Sequence, residues 1–154
     1  MDKVPTFAAL FHAQEGLKIA ALLDLQKKDQ QKIENLYKQK LLQQNHVLTF
    51  SDFTNMKEAD IEDMFEPDFY LELVNGAYVN ELQKPLHLAD LTKQHPRIII
   101  RIEEYLRQNP LKTGSFDHLR PAWYFATYAM TFGAELNQAI DRFDKAFRTL
   151  NALL

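Results

Sequence analysis

A seven-residue run, Leu17-Lys18-Ile19-Ala20-Ala21-Leu22-Leu23, set between Gly16 and Asp24, constrains this chain more than any other feature. It is too short for a buried helix and mostly apolar, as expected of a strand covered on both faces. Residues 28–42 follow, where Ile33, Leu36, Tyr37 and Leu41 recur at helical spacing in a polar background; residues 46–50, His-Val-Leu-Thr-Phe, read as a second strand. Strand, helix and strand with short joints predict a βαβ unit with two parallel strands. Asp24 then stands at the carboxyl end of the first strand, on the rim where open α/β sheets gather ligands.

Two strands leave both sheet edges open, so this region is expected to need more sheet, from a partner or from an upstream segment of a longer protein. Upstream, Phe7, Leu10 and Phe11 predict only a short helix over residues 6–14. Beyond Phe50 the reading is helix and loop throughout. A short helix is expected over 58–65. Pro67 suits the start of the next, whose Phe69, Tyr70, Leu73, Val74, Ala77 and Tyr78 form an apolar face. Pro96 opens a helix carrying Ile98, Ile99, Ile102, Tyr105 and Leu106 and stopped by Asn109-Pro110, and Pro121 opens an aromatic helix with Trp123, Tyr124, Phe125 and Tyr128, interrupted near Gly133. In the last helix Leu136, Ile140, Phe143, Phe147, Leu150 and Leu154 alternate spacings of four and three, a heptad seam that either packs on the aromatic helix or docks a partner. The fold class is therefore α/β followed by all-α: a small parallel βαβ unit in residues 1–65 and a helical bundle in 66–154 packed on it.

The chain of 154 residues has room for one ordinary core. A net charge of -3 gives no global attraction to nucleic acid, so DNA contact requires a local basic patch. The absence of cysteine excludes disulfides and thiolate chemistry and fits a reducing compartment, with cytoplasm the default. Neither a membrane-spanning run nor a signal peptide is legible. The five histidines lack zinc-site spacing, and no phosphate-binding glycine loop or serine-hydrolase elbow is found, so ATP is not expected to bind this chain.

Charge is segregated. Glu58, Asp60, Glu62, Asp63, Glu66, Asp68 and Glu72 cluster without an intervening base, whereas Lys27, Lys28, Lys32, Lys38 and Lys40 mark the crossover helix. A hard divalent cation needs oxygen ligands, and Asp24 with Glu62 or Asp63 are the candidates. Each has a plainer reading: acids favour helix starts, and an Asp after a strand serves as a turn or cap. The lysine face, with His118 and Arg120 before the aromatic helix, is a candidate phosphate contact; solvation, a capping Asp117 and an Arg–carboxylate pair are the alternatives.

The run 17–24, the Lys/Gln-rich helix, Glu58-Ala59-Asp60-Ile61-Glu62-Asp63-Met64-Phe65 and Phe116-Asp117-His118-Leu119-Arg120-Pro121-Ala122-Trp123-Tyr124-Phe125 together resemble the second half of the Toprim domain and the helical end of OLD-family ATP-dependent endonucleases. The resemblance implies a partial Toprim fold, Mg or Mn as cofactor, DNA as substrate, an ATPase domain on a separate chain or in an upstream segment, and a role in phage defence. Asp24 matches the first acid of the family's Asp-x-Asp motif, and Gln26 replaces the second, offering a neutral oxygen. Glu62 and Asp63 match the acidic segment that follows, with Asp24 and Glu62 carried over as catalytic. A glutamate that ends the domain's first strand in the family has no match here, since Glu15 precedes Gly16 in a loop. The implied function is a fragment or subunit of a metal-dependent DNA endonuclease, inactive alone; the alternative is a non-catalytic module that docks an ATPase partner or forms a homodimer through residues 134–154.

Overall fold

The computed structural model describes residues 6, 18–24, 30–40, 42–133 and 135–154. Its fold is mixed α/β and mainly helical, with β1 (Ala21–Leu23), α1 (Gln30–Lys38), β2 (Val47–Thr49), α2 (Pro67–Ala77), α3 (Ile98–Gln108), α4 (Leu119–Tyr128) and α5 (Glu135–Leu153). It divides into two compact units, residues 1–61 with 142–154, and residues 62–141. The sequence places the boundary at 65/66; the compact units divide at 61/62 and share the last helix between them.

In the first unit β1 and β2 pair in parallel, with Ala21 opposite Val47, Leu22 opposite Leu48 and Leu23 opposite Thr49. The helix α1 connects them, as the apolar spacing predicts. Leu42 is buried, with Ile19, Ala21, Tyr37 and Val47 packed around it. Buried His46 holds the strand entrance: its Nδ1 lies 2.9 Å from the Ile19 carbonyl oxygen. The ladder is shorter than the predicted strands: Gln44–His46 form a 3-10 turn just before β2, and the chain turns again at Thr49. The Thr49 N–H donates to Asp52 Oδ2 at 2.7 Å in a reciprocal cap that folds Phe50–Phe53 into a 3-10 turn and buries both phenylalanines. After α1, Lys40 takes the left-handed conformation at φ 57° and donates its N–H to the Tyr37 carbonyl at 2.9 Å.

The second unit is built around α2. Its Phe69, Tyr70, Leu71, Leu73 and Val74 are buried together with Ile98, Ile99, Ile102 and Leu106 of α3 and the connecting Tyr78, Leu82, Leu86 and Leu91. Each such aliphatic side chain contributes roughly 1.5–3 kcal/mol on leaving water. An aromatic group covers one end, with Phe69 and Phe132 edge to face at 5.1 Å between centroids and Phe65 and Phe125 at 5.7 Å. Gly76 of α2 faces Tyr124 of α4 so closely that a Cβ there would lie 2.2 Å from the Tyr124 ring. The long connection between α2 and α3 is anchored by a side-chain amide: Asn75 Nδ2 donates to the Leu86 carbonyl at 2.9 Å, and the Leu86 N–H donates to Asn75 Oδ1 at 2.7 Å.

The predicted helix over 58–65 is reduced to a single 3-10 turn, Ile61–Met64. Pro67 explains the break: the residue before a proline is driven out of the helical region, and Glu66 accordingly sits at φ -67°, ψ 140°. Pro67 itself opens α2, as predicted. Helix α4 begins two residues ahead of Pro121, which still falls in the first turn where a missing N–H costs nothing.

Candidate functional site

Asp24 immediately follows Leu23, the last residue of β1, and its side chain is exposed. The parallel pairing of β1 with β2 therefore presents this carboxylate from the carboxyl end of a strand. Gln26, Lys27 and Lys28 lie outside the described residues; Lys32 lies on α1. Among the described residues no group of three or more His, Cys, Asp or Glu side chains is arranged to hold a metal ion.

In the second unit the acidic segment is tied into structure. Asp63 is buried, and its Oδ1 accepts the Ile98 N–H at 2.9 Å. That bond satisfies one of the orphan donors at the start of α3, and the carboxylate complements the positive end of the helix dipole. Its neighbour Glu62, half-buried, faces His118 with Oε1 3.7 Å from Nδ1, while His118 Nε2 lies 3.1 Å from Glu103 Oε1 on α3. The imidazole thus sits between two carboxylates, with Phe116 against it at 5.4 Å between centroids.

Arg120 is similarly engaged. Its guanidinium donates to the Ala77 carbonyl at 2.6 Å and to Glu81 Oε1 at 3.0 Å, and its Cζ lies 4.1 Å above the Tyr78 ring. Fully buried Tyr78 locks the same region, its hydroxyl donating to the Asp117 carbonyl at 2.9 Å and accepting the Asp117 N–H at 2.6 Å. Burial pushes the Tyr78 hydroxyl pKa above its ordinary value, a rise partly offset by the hydrogen bond to the Asp117 backbone and the charge of Arg120. Asp117, one residue ahead of the His118 N-cap position, also accepts the Leu119 N–H at 2.9 Å.

The structure thus gives His118 and Arg120 carboxylate partners in Glu62, Glu103 and Glu81. Sequence reasoning missed Glu81, Glu103 and the anchoring role of Tyr78, because each pairing spans loops whose course no local pattern announces. It also missed a face of α4 where Leu119, Ala122, Trp123 and Ala126 are all exposed, continued by Met130 in the next turn. The signal was legible: the stretch 119–130 carries a single charge, that of Arg120, and is apolar nearly all round. On α5, Ala139 and Ala146 are buried whereas Ile140, Phe147 and Leu154 of the predicted seam are exposed.

No helix among the described residues is long and apolar enough to cross a membrane. Compared with known proteins, the sequence matches no family model, no curated protein and no solved structure.

Proposed function

We propose that this chain is one part of a divalent-metal-dependent DNA endonuclease of the OLD type, with Asp24 as its contribution to the metal site and the other ligands supplied by an accompanying polypeptide that also carries the ATPase. The observation that carries this reading is the exposed carboxylate placed directly after β1 in a parallel β1–α1–β2 unit. A carboxylate there sits on the rim where such sheets collect ligands, and the resemblance of the surrounding sequence to the second half of a Toprim domain gives that position its chemistry.

The described residues do not by themselves fit a Mg or Mn ion. Mg or Mn takes six ligands, mostly oxygens and several of them from water, and the described residues bring no three suitable side chains together. Asp63 holds a structural post at the start of α3, which weighs toward Asp24 as the ligand. No hydrolytic step is assigned to this chain alone. Its proposed part is to present Asp24, and α1, which carries Lys32 and Lys38, is the candidate for contact with the DNA backbone.

The test is nicking of supercoiled plasmid in Mg²⁺ or Mn²⁺ by the purified chain, alone and together with a separately purified ATPase-domain chain of the OLD type. The chain alone is expected to be inert; the pair nicks, and Asp24→Ala in this chain abolishes the activity. Robust nicking by the chain alone would overturn the incompleteness, and a pair that nicks equally with Asp24→Ala would overturn the site.

A further inference from the structure

A helix of a water-soluble unit is normally apolar on the side that meets its core and polar on the other. Helix α4 departs from this. Pro121 is buried and Tyr124 and Phe125 pack on the core of the second unit. The opposite side carries Leu119, Ala122, Trp123 and Ala126, followed by Met130, at spacings of three, one, three and four residues, so the apolar side chains form one stripe. They are exposed, Leu119 by 63%, Trp123 by 72% and Met130 by 97%, and the one charge in the stretch, that of Arg120, is paired with Glu81.

We infer that this stripe is a self-association surface, its occupant the same stripe of a second copy paired antiparallel about a two-fold axis. Three properties of the stripe select that occupant. The first is self-complementarity. Reversing the direction of α4 about the point between Tyr124 and Phe125 brings Trp123 opposite Ala126, Ala122 opposite Thr127 and Leu119 opposite Met130. The one bulky indole of each copy therefore meets the small side chain of the other, as an isologous interface requires. The second is charge. None of the side chains in this stripe is charged, so pairing it with its own copy opposes no like charges.

The third is area. An aromatic side chain buries on the order of 150–250 Å², and the exposed parts of Trp123, Leu119, Met130 and two alanines together make a patch of roughly 500 Å². That lies near the top of what a monomer's largest apolar patch covers. Two such patches together reach about 1,000 Å², the threshold for a specific interface, and they hold a tryptophan pair at the centre, where binding energy concentrates. The result is a small interface whose occupancy depends on protein concentration. This surface lies within the second unit, and the inference does not depend on the chemistry proposed for Asp24 in the first.

Trp123 is the sole tryptophan, so its emission reports the interface directly. Sedimentation equilibrium and fluorescence are run on the full chain across a dilution series. The expected result is a monomer–dimer equilibrium in which the emission shifts to the blue with rising concentration. Ala126→Glu weakens the dimer by at least about thirty-fold and leaves the emission red throughout. Phe147→Glu, on α5, leaves the dimer unchanged. Circular dichroism checks each variant; should Ala126→Glu disturb folding, Met130→Glu, at the almost fully exposed end of the stripe, replaces it with the same expected loss. A wild-type chain that stays monomeric at the highest concentration, or a dimer that survives the α4 substitution and is lost with Phe147→Glu, overturns the assignment.

Discussion

Replacing Gly76 by alanine sets two effects of opposite sign against each other, and the structure decides between them. Glycine in a helix is less favourable than alanine by up to about 1 kcal/mol, so on backbone grounds alone Gly76→Ala stabilises α2. The new methyl, however, would stand 2.2 Å from Tyr124 Cζ and 2.5 Å from its Cε1 and Oη. Ordinary carbon contacts lie near 3.5–4.0 Å, so the ring has to retreat by more than about 1 Å. It is not free to swing away, because Tyr124 packs on the core and lies 4.6 Å from the Tyr128 ring centroid. Overpacking of this kind costs about 1–3 kcal/mol, and the net effect expected is a loss of about 1 kcal/mol. In a Tyr124→Ala background the obstruction is gone, and Gly76→Ala should stabilise by up to about 1 kcal/mol. The assay is urea unfolding of the four proteins, read by far-ultraviolet circular dichroism at fixed, low protein concentration. The coupling energy of the cycle should reach roughly 2 kcal/mol. Coupling below about 0.5 kcal/mol, with alanine stabilising equally in both backgrounds, would show that the Tyr124 ring does not oppose the new methyl.

Tyr78→Phe keeps the ring beneath Arg120 but removes both bonds to the Asp117 backbone; a loss of about 2 kcal/mol in urea unfolding is expected, and a loss under about 0.5 kcal/mol would show that water replaces them. The raised pKa of Tyr78 has a consequence with a definite sign. The stability it contributes is complete below the ordinary tyrosine pKa and is lost as pH rises through the higher folded value, so alkaline unfolding above about pH 10 should be shallower in Tyr78→Phe. Asp63→Ala uncaps α3 inside the core and should cost about 2 kcal/mol in thermal unfolding, whereas Asp63→Asn, which retains an acceptor, should cost less. Lys40→Gly relieves a left-handed residue and should raise stability by about 0.5–1 kcal/mol in the same measurement, with no change in secondary structure by circular dichroism.

How much of this was legible in the sequence varied with the range of the interaction. The parallel pair and the place of Asp24 follow from two short apolar runs and the spacing between them, all within thirty-odd residues. The inward faces of α2 and α3 were legible for the same reason: Phe69, Leu73 and Val74, and Ile98, Ile99 and Ile102, repeat at helical spacing and are buried. The partners of His118 and Arg120 were not, since Glu62, Glu81 and Glu103 reach them only after irregular connections have fixed the chain's course. On α5 the heptad residues are divided, with Leu136, Phe143 and Leu150 partly buried and Ile140, Phe147 and Leu154 exposed. Ala139 and Ala146 are buried, because small side chains permit close approach while contributing almost nothing to a hydrophobic pattern, and Ile140 and Phe147 are left exposed on the adjoining stripe.

The amide of Asn75, which clasps the backbone of Leu86, precedes Gly76, and asparagine before glycine is the pair most prone to cyclise and lose its ammonia. Near the end of α2 the backbone nitrogen that would attack is held by helical geometry, so folding shields the very group it depends on. Once the helix opens, the reaction is permitted. The aspartate or isoaspartate produced would face the Leu86 carbonyl with an acceptor where a donor had stood. A stored or repeatedly denatured sample should therefore age irreversibly, losing the clasp that holds the long connection and with it the ability to regain its structure.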